Sequence, residues 1–198
     1  MYRLIESIRL ENGKFFRLHH HQQRMDETIT ALTGKDNPIQ LSKELSSHSF
    51  PKTGLFKCRL VYGPEEVLKT DFIPYVHQQP VWMQVVCNDS VSYNFKFEDR
   101  SWLEPMKPSR LHADIIIIRK GKVTDASYSN LVFFDGKRWL TPAEPLLSGT
   151  MRKALLEAGE IFEEEIREED LRRFKKVKRI NAMLQFDEPA LPASQIIW

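Results

Sequence analysis

The sequence has few cysteines, no long apolar run and no large excess of charge of either sign. Cys58 and Cys87 are the only two cysteines, and they lie far apart in strand-like apolar stretches without the spacing of metal ligands. They predict buried thiols in a reducing compartment and exclude a disulfide framework. The four isoleucines at 115–118 are typical of a buried strand and are far too short a run to span a membrane.

The charge balance and the N-terminal residues exclude further classes of partner. The net charge of +2 is the difference between 29 basic and 27 acidic residues spread along the chain, so nothing indicates nucleic acid or an anionic membrane as a partner. Residues 1–13 contain no basic stretch followed by an apolar segment, so no secretory signal is expected. We therefore expect a cytoplasmic protein.

The composition that remains is that of a globular protein with room for two small domains. The chain has 198 residues, of which 41% are hydrophobic and 28% charged. The segment 74–80 has a proline at each end and polar residues between, which predicts an N-terminal unit 1–74, a linker 75–80 and a C-terminal unit 81–198. Hydrophobic periodicity predicts an α/β (α+β) fold with largely antiparallel sheets and flanking helices, including helices at 20–32, 39–45, 150–158 and 168–174 and a strand at 178–184.

Residues 123–152 are the most informative part of the chain. They place a carboxylate, Asp125, on a predicted strand and then begin a helix at Ser148-Gly149-Thr150, where backbone N–H groups lack partners and phosphate binds readily. This pairing suits a ligand with a basic nitrogen at one end and a phosphate at the other, and pyridoxal phosphate is such a ligand. The alternative is that Asp125 and Asn130 cap turns, while Ser148 as an ordinary helix N-cap is compatible with both interpretations.

Such a ligand needs an imine-forming lysine and a fixed cation. Lys96 lies between Phe95 and Phe97, and an apolar wall around a lysine lowers its pKa and makes the amine nucleophilic. Arg24, near a predicted helix start, is placed to hold a phosphate. For both residues the alternative is a solvated side chain. The run His19–His21 predicts no metal site, since consecutive residues cannot all face one ion and no carboxylate or cysteine completes a ligand set.

Taken together, these segments resemble the class IV aminotransferases, the fold-type IV pyridoxal-phosphate enzymes, a group that includes branched-chain and D-amino-acid aminotransferases and aminodeoxychorismate lyase. The resemblance covers nearly the whole chain and is carried by four segments in the order found in the family. They are IESIRLENGKFFRLHHHQQRM, ending in His-x-x-Arg; KFEDR, similar to Lys-x-x-x-Arg; VTDASYSNLVFF, similar to T-E-x-x-x-x-N-L-F; and LLSGTMRKALLE, similar to a G-x-x-R stretch.

The resemblance implies a two-domain fold and a role for each matched residue. Lys96 matches the imine lysine, and Asp125 stands where the family usually has the glutamate that pairs with the pyridine nitrogen. The cofactor-binding residues implied in this way are Arg24, Lys96, Asp125, Asn130, Gly149, Thr150, Met151, Asn181 and Ala182, the last two through a weaker match at INAM. The family's tyrosine and Gly-Asp-Gly stretch before the first strand is not seen, and because that segment contributes to substrate binding in relatives, the resemblance is a poor guide to the substrate.

The predicted function is therefore a pyridoxal-phosphate-dependent aminotransferase that acts on a small amino acid and 2-oxo acid pair through Lys96. The alternatives are an aminodeoxychorismate lyase-like enzyme that releases pyruvate and a non-catalytic binding module that keeps the fold. Four residues are candidates for the substrate carboxylate, although each is also explained as a surface or core residue: Arg59, Tyr62, Arg110 and His112. From the resemblance alone we also expect a homodimer.

Overall fold

The computed structural model describes residues 2–198, and the chain divides into two compact units. The first extends to His77 and includes Phe95–Asp99, and the second comprises Gln78–Asn94 and Arg100–Trp198. No helix within residues 2–198 is long and apolar enough to cross a membrane.

The division differs from the sequence-based one in the placement of residues 95–99, which the prediction assigned to the C-terminal unit. The physical reason is backbone pairing with the start of the chain. The N–H of Ile5 donates to the carbonyl of Lys96, and the N–H of Glu98 donates to the carbonyl of Arg3. Phe95–Asp99 thus belong to the first unit, where Phe97 forms a single antiparallel bridge with Leu4, and this segment includes Lys96.

The first unit is a four-stranded antiparallel sheet with two helices. Its elements are β1 (Leu4–Glu11), β2 (Lys14–Phe15), α1 (Leu18–Thr33), α2 (Leu41–Ser46), β3 (Leu55–Tyr62) and β4 (Val67–Pro74), and the strand order is β2-β1-β3-β4. Alternate residues of β1 and β3 share a core with one face of α1, where Met25 and Ile29 are fully buried. Helix α1 ends at Gly34, whose φ of 71° is readily adopted by glycine.

The second unit contains two mixed sheets. Its helix and strands are β5 (Trp82–Cys87), β6 (Ala113–Arg119), β7 (Lys122–Val123), β8 (Asn130–Phe134), β9 (Trp139–Pro142), α3 (Thr150–Glu157), β10 (Ile161–Glu164), β11 (Lys176–Ile180), β12 (Leu191–Pro192) and β13 (Ile196–Ile197). The sheet orders are β10-β9-β8-β11-β12 and β13-β5-β6-β7, with β10 parallel to β9 and β5 parallel to both β6 and β13. Short 3-10 helices span Ser101–Met106, Glu169–Arg173 and Ala193–Gln195.

Three local predictions are corrected by the structure. The helix predicted at 168–174 is the 3-10 turn Glu169–Arg173. The strand predicted at 178–184 ends at Ile180, because Asn181 Oδ1 accepts the N–H groups of Met183 and Leu184 and turns the chain. Cys58 is buried as expected, but Cys87 is exposed because it is the last residue of β5.

Candidate functional site

Asp125 is a buried carboxylate that lies between β7 and β8 in the second unit. It is 5% exposed, Oδ1 accepts from Asn130 Nδ2 at 2.7 Å, and Oδ2 accepts from the N–H of Leu147 at 2.9 Å. Burial raises the pKa of Asp125 to about 6, although the two hydrogen bonds oppose the increase. A buried carboxylate held by neutral donors is suited to receive a positively charged ligand group.

The start of α3 lies next to this carboxylate in the same unit. Gly149 is the N-cap residue of α3, and no side chain caps the helix. The N–H groups of the first turn are therefore directed towards the N-terminal end of the helix without a capping acceptor. Thr150, the first helical residue, is 3% exposed, and its hydroxyl has no hydrogen-bond partner among residues 2–198. A buried, unsatisfied hydroxyl at a helix N-terminus is arranged as an oxyanion ligand would require.

Arg152 holds this helix in place, a role that the sequence interpretation missed. Its side chain is 6% exposed, and Nη2 donates to the carbonyl of Pro142 at 2.8 Å and to Glu163 at 2.6 Å. Arg152 therefore anchors the first turn of α3 to β9 and β10. The sequence signal was Arg152 itself, the arginine of the G-x-x-R stretch, which falls in the first turn of the predicted helix.

The loop after β11 is tied to the loop after Asp125. Asn181 Nδ2 donates to Ser129 Oγ at 3.0 Å, while its Oδ1 accepts the backbone N–H of Met183 at 2.9 Å. The Asn181 side chain therefore organises the loop that contains Ala182. Asp125, Asn130, Gly149, Thr150, Met151, Asn181 and Ala182 all belong to the second unit.

Arg24 lies in the first unit and is bound to a buried acid that was not predicted as a site residue. Its Nε donates to Glu6 Oε1 at 2.8 Å and Nη2 donates to Glu6 Oε2 at 2.5 Å, while His21 Nδ1 lies 2.7 Å from the same Oε2. Burial alone would raise the pKa of the fully buried Glu6, but Arg24 and His21 hold it at about 2. The sequence signal was available, since Glu6 lies between Leu4 and Ile8 on the same face of β1, the face that packs into the core.

Lys96 belongs to the same unit as Arg24 and is half-buried. The carbonyl of Lys96 is bonded to the N–H of Ile5, and its neighbours Phe95 and Phe97 pack against the core of the first unit. The apolar surroundings expected for the Lys96 side chain stay a prediction. His21 is also electrostatically coupled to Lys96: burial is the main cause of the lowered His21 pKa, and the Lys96 charge lowers it further.

The four candidate substrate ligands have different surroundings. Arg59 Nη2 donates to Glu98 at 2.7 Å. Tyr62 is 1% exposed and part of the core, where burial raises its pKa and its hydroxyl contacts Thr28. These contacts give both residues an intramolecular role.

The other two candidates, Arg110 and His112, lie on the surface of the second unit. The Arg110 guanidinium lies 3.6 Å from the centre of the Trp82 ring. His112 lines a cavity of about 310 Å³, together with Asp114 and Arg179, whose side chains are 2.8 Å apart. The assignment of all four residues to a substrate carboxylate stays a prediction.

Comparison with known proteins shows which proteins this chain resembles. The sequence profile for amino-transferase class IV matches residues 110–186. An uncharacterised protein of Haemophilus influenzae is 36% identical over 190 residues, which cover 92% of this chain and 98% of that protein.

Solved structures share the fold over nearly the whole chain. A crystal structure from Haemophilus somnus 129PT, provisionally named a 4-amino-4-deoxychorismate lyase, is 34% identical with a TM-score of 0.86 and covers 92% of this chain and 97% of its own. A structure from Mesorhizobium loti, provisionally named an amino-acid aminotransferase, is 20% identical with a TM-score of 0.79 and covers 97% of this chain and 98% of its own. These likenesses confirm the fold class predicted from the sequence.

Proposed function

This chain belongs to the class IV aminotransferases, a family of pyridoxal-phosphate-dependent aminotransferases and lyases, and we propose that it is a lyase acting on 4-amino-4-deoxychorismate with release of pyruvate. The family resemblance seen in the sequence is thereby confirmed, and the reaction and substrate are the proposal.

The observation that carries the choice of reaction is the likeness to the Haemophilus somnus protein. At 34% identity over 97% of its length, that protein is much more similar in sequence than the Mesorhizobium loti aminotransferase at 20%. This difference reverses the order in which the sequence alone ranked the two activities. Aminotransfer between an amino acid and a 2-oxo acid is the second candidate, supported by the fold shared with the Mesorhizobium loti structure.

The residues of the second unit fit pyridoxal phosphate at both of its ends. Thr150 offers a buried hydroxyl without a partner among residues 2–198, and Gly149 presents no side chain at the helix start. At the other end, Asp125 is a buried carboxylate held by neutral donors, and a protonated ring nitrogen supplies the cation that its charged form favours. When bound, pyridoxal phosphate supplies an electron sink for negative charge that develops on the substrate.

The chain's own residues have distinct tasks in this proposal. Asp125 would accept a hydrogen bond from the protonated ring nitrogen and keep that proton in place. The N–H groups of Thr150 and Met151 and the Thr150 hydroxyl would donate to the phosphate. Lys96 would hold the cofactor through its side-chain amine, and that amine is the base that we propose to take or return a proton at the substrate carbon.

The remaining predicted cofactor residues support the phosphate. Asn181 and Ala182 belong to a loop that the Asn181 side chain keeps ordered, and they contribute to the phosphate site. Arg24 contributes a cation whose orientation is set by the two bonds to Glu6. A non-catalytic binding module has no need of a lysine, a buried carboxylate and an uncapped helix start that together suit pyridoxal phosphate.

The first experiment tests the cofactor and the lysine together. The purified protein, loaded with pyridoxal phosphate, should show an absorbance peak at longer wavelength than the protein band. Borohydride reduction should then attach the pyridoxal phosphate permanently to Lys96, as detected by peptide mass spectrometry. Lys96→Ala should abolish the fixed label, whereas Lys69→Ala, an exposed lysine of the same unit, should retain it. An unchanged spectrum in Lys96→Ala would refute the assignment and favour the non-catalytic module.

The second experiment separates the two activities. With 4-amino-4-deoxychorismate, the lyase proposal expects pyruvate to form over many turnovers while the cofactor absorbance stays constant. Stoichiometric loss of that absorbance on addition of amino acids, with a pyridoxamine form accumulating and no pyruvate from the chorismate derivative, would instead support aminotransfer.

Assembly and location belong to the same proposal. We expect a homodimer, as the family resemblance implies, and a cytoplasmic location, as the sequence analysis predicts. Sedimentation equilibrium checks the first expectation, since a single species of 23.3 kDa would contradict it.

A further inference from the structure

Asn130 occupies the centre of a small closed ring of hydrogen bonds. Its Nδ2 carries two hydrogens and donates both, one to Asp125 Oδ1 at 2.7 Å and one to the carbonyl of Leu147 at 2.8 Å. The N–H of Leu147 returns to Asp125 Oδ2 at 2.9 Å. One amide therefore fixes both the carboxylate and the backbone that leads into α3.

The ring lies immediately before the helix start. Leu147 is three residues upstream of Thr150, the first residue of α3. Asp125 is joined to Leu147 directly through one oxygen and by way of Asn130 through the other. The distance between the carboxylate and the first turn of the helix is therefore set by this ring and not by the loop alone. Asn130 itself is 5% exposed, so water does not compete for its two bonds.

Gly149 is part of the same arrangement for a steric reason. A Cβ at this position would lie 2.0 Å from Asn130 Oδ1 and 3.2 Å from its Cγ. The φ of Gly149 is −77°, a value that any residue adopts, so glycine is needed here for space and not for conformation. Any larger residue must displace the amide that holds Asp125.

We propose that Asn130 is a positioning residue that, together with Gly149, sets the separation between the Asp125 carboxylate and the phosphate-binding start of α3. The consequence for binding rests on the proposed function: a rigid ligand that touches both ends binds well only at one separation. The ring itself is a property of the protein without the cofactor. The ring also explains how Asp125 can replace the glutamate usual in the family. Both of its carboxylate oxygens are held by hydrogen bonds, so its position does not depend on the longer glutamate side chain.

Asparagine is the side chain that this ring requires. Aspartate at position 130 would offer no donor and would set a second carboxylate against Asp125. Alanine would remove both bonds and also the oxygen that excludes a Cβ at position 149. The proposal therefore predicts that the effects of changes at positions 130 and 149 are not additive.

The first test uses the cofactor-free protein and three variants: Asn130→Ala, Gly149→Ala and the double variant. Amide hydrogen exchange at Leu147 and the Asp125 carboxyl titration, followed by NMR, report the ring directly. We expect exchange at Leu147 to rise about tenfold or more in each single variant, with an upward shift of the Asp125 titration. The double variant should match Asn130→Ala, because the amide that obstructs a side chain at position 149 is gone. Additive effects, or an unmoved Asp125 titration in Asn130→Ala, would overturn the proposal.

Thr141→Val is the matched control for a purely structural loss. The Thr141 hydroxyl is fully buried and donates one hydrogen bond of 2.9 Å to the carbonyl of Leu131 in the same sheet. Its removal should lower overall stability without altering either the Leu147 exchange relative to global unfolding or the Asp125 titration.

The second test measures pyridoxal phosphate affinity in the same set. The dissociation constant should rise about tenfold or more in Asn130→Ala and stay near the wild-type value in Thr141→Val. If the wild type does not bind pyridoxal phosphate, the proposed function fails while the ring is still judged by the first test. If the wild type binds and loss of the ring leaves affinity unchanged, the positioning role is refuted although the cofactor assignment stands.

Discussion

Replacing Glu6 with glutamine should destabilise the first unit far more than any exposed charge change would. Glu6 is fully buried on β1 and receives two bonds from Arg24 and one contact from His21. Glutamine keeps the shape but loses the charge, which removes the carboxylate that balances the Arg24 guanidinium. Removing one partner of a buried pair is costly because the other charge remains desolvated.

The magnitude follows from the pKa of Glu6. The folded protein holds it at about 2 in place of its usual 4.5, and each pKa unit corresponds to about 1.4 kcal/mol. The ionised carboxylate therefore contributes about 3 kcal/mol to the free energy of unfolding at neutral pH. Because the folded pKa is depressed, this contribution is present above pH 4.5 and is lost as the pH falls from 4.5 to 2.

The assay is urea unfolding of wild type and Glu6→Gln between about pH 2 and pH 7, followed by circular dichroism. The difference in free energy of unfolding should be about 3 kcal/mol at neutral pH and should shrink towards zero at the acid end. Glu44→Gln is the control in the same unit, since its i,i+4 pair with His48 is about one-third exposed and is worth about 0.3–0.5 kcal/mol. A difference that is small at neutral pH, or that does not change with pH, would refute this account of the Glu6 cluster.

Two further predictions concern the second unit. Burial raises the pKa of Asp125 from 3.8 to about 6, so the cofactor-free protein should lose about 3 kcal/mol of unfolding free energy as the pH rises through this interval. Asp125→Asn should lack this decrease. A variant with the same pH profile as the wild type would contradict the assignment. Thr150→Val keeps the side-chain shape but removes a hydroxyl that has no partner within residues 2–198, so the unfolding free energy should change by less than about 0.5 kcal/mol. Pyridoxal phosphate should bind about tenfold more weakly in equilibrium titrations, because one donor to the phosphate is lost. Unchanged affinity in Thr150→Val would show that the hydroxyl is not a phosphate donor.

Much of the local structure could be predicted because it depends on neighbouring residues. The periodicity of α1 and its end at Gly34 are local signals, as are the turns at Asn12-Gly13 and Lys120-Gly121, where all four residues have positive φ. The predicted helix after Gly149 also forms, over Thr150–Glu157. Local signals failed where a side chain redirected the backbone, as Asn181 does at the end of β11.

Site residues could be predicted where they lie in a motif and not where their role depends on a distant partner. Asp125 and Thr150 were identified as candidates because each lies next to a recognisable turn or helix start. Glu6 and Arg152 were missed, since the partners of Glu6 are 15 and 18 residues away and those of Arg152 are 10 and 11 residues away. Only folding determines which partner a buried charge meets.

The family, the fold class and the candidate lysine, carboxylate and helix start can be recognised in the sequence, because motifs and periodicity are properties of short segments. Three features depend on the folded chain: residues 95–99 belong to the first unit, Arg24 is bound to Glu6, and Asn130 meets Gly149, which is 19 residues further along the chain. These outcomes depend on the pairing and burial of segments far apart in sequence, and a buried polar group must find its partner wherever the fold places one.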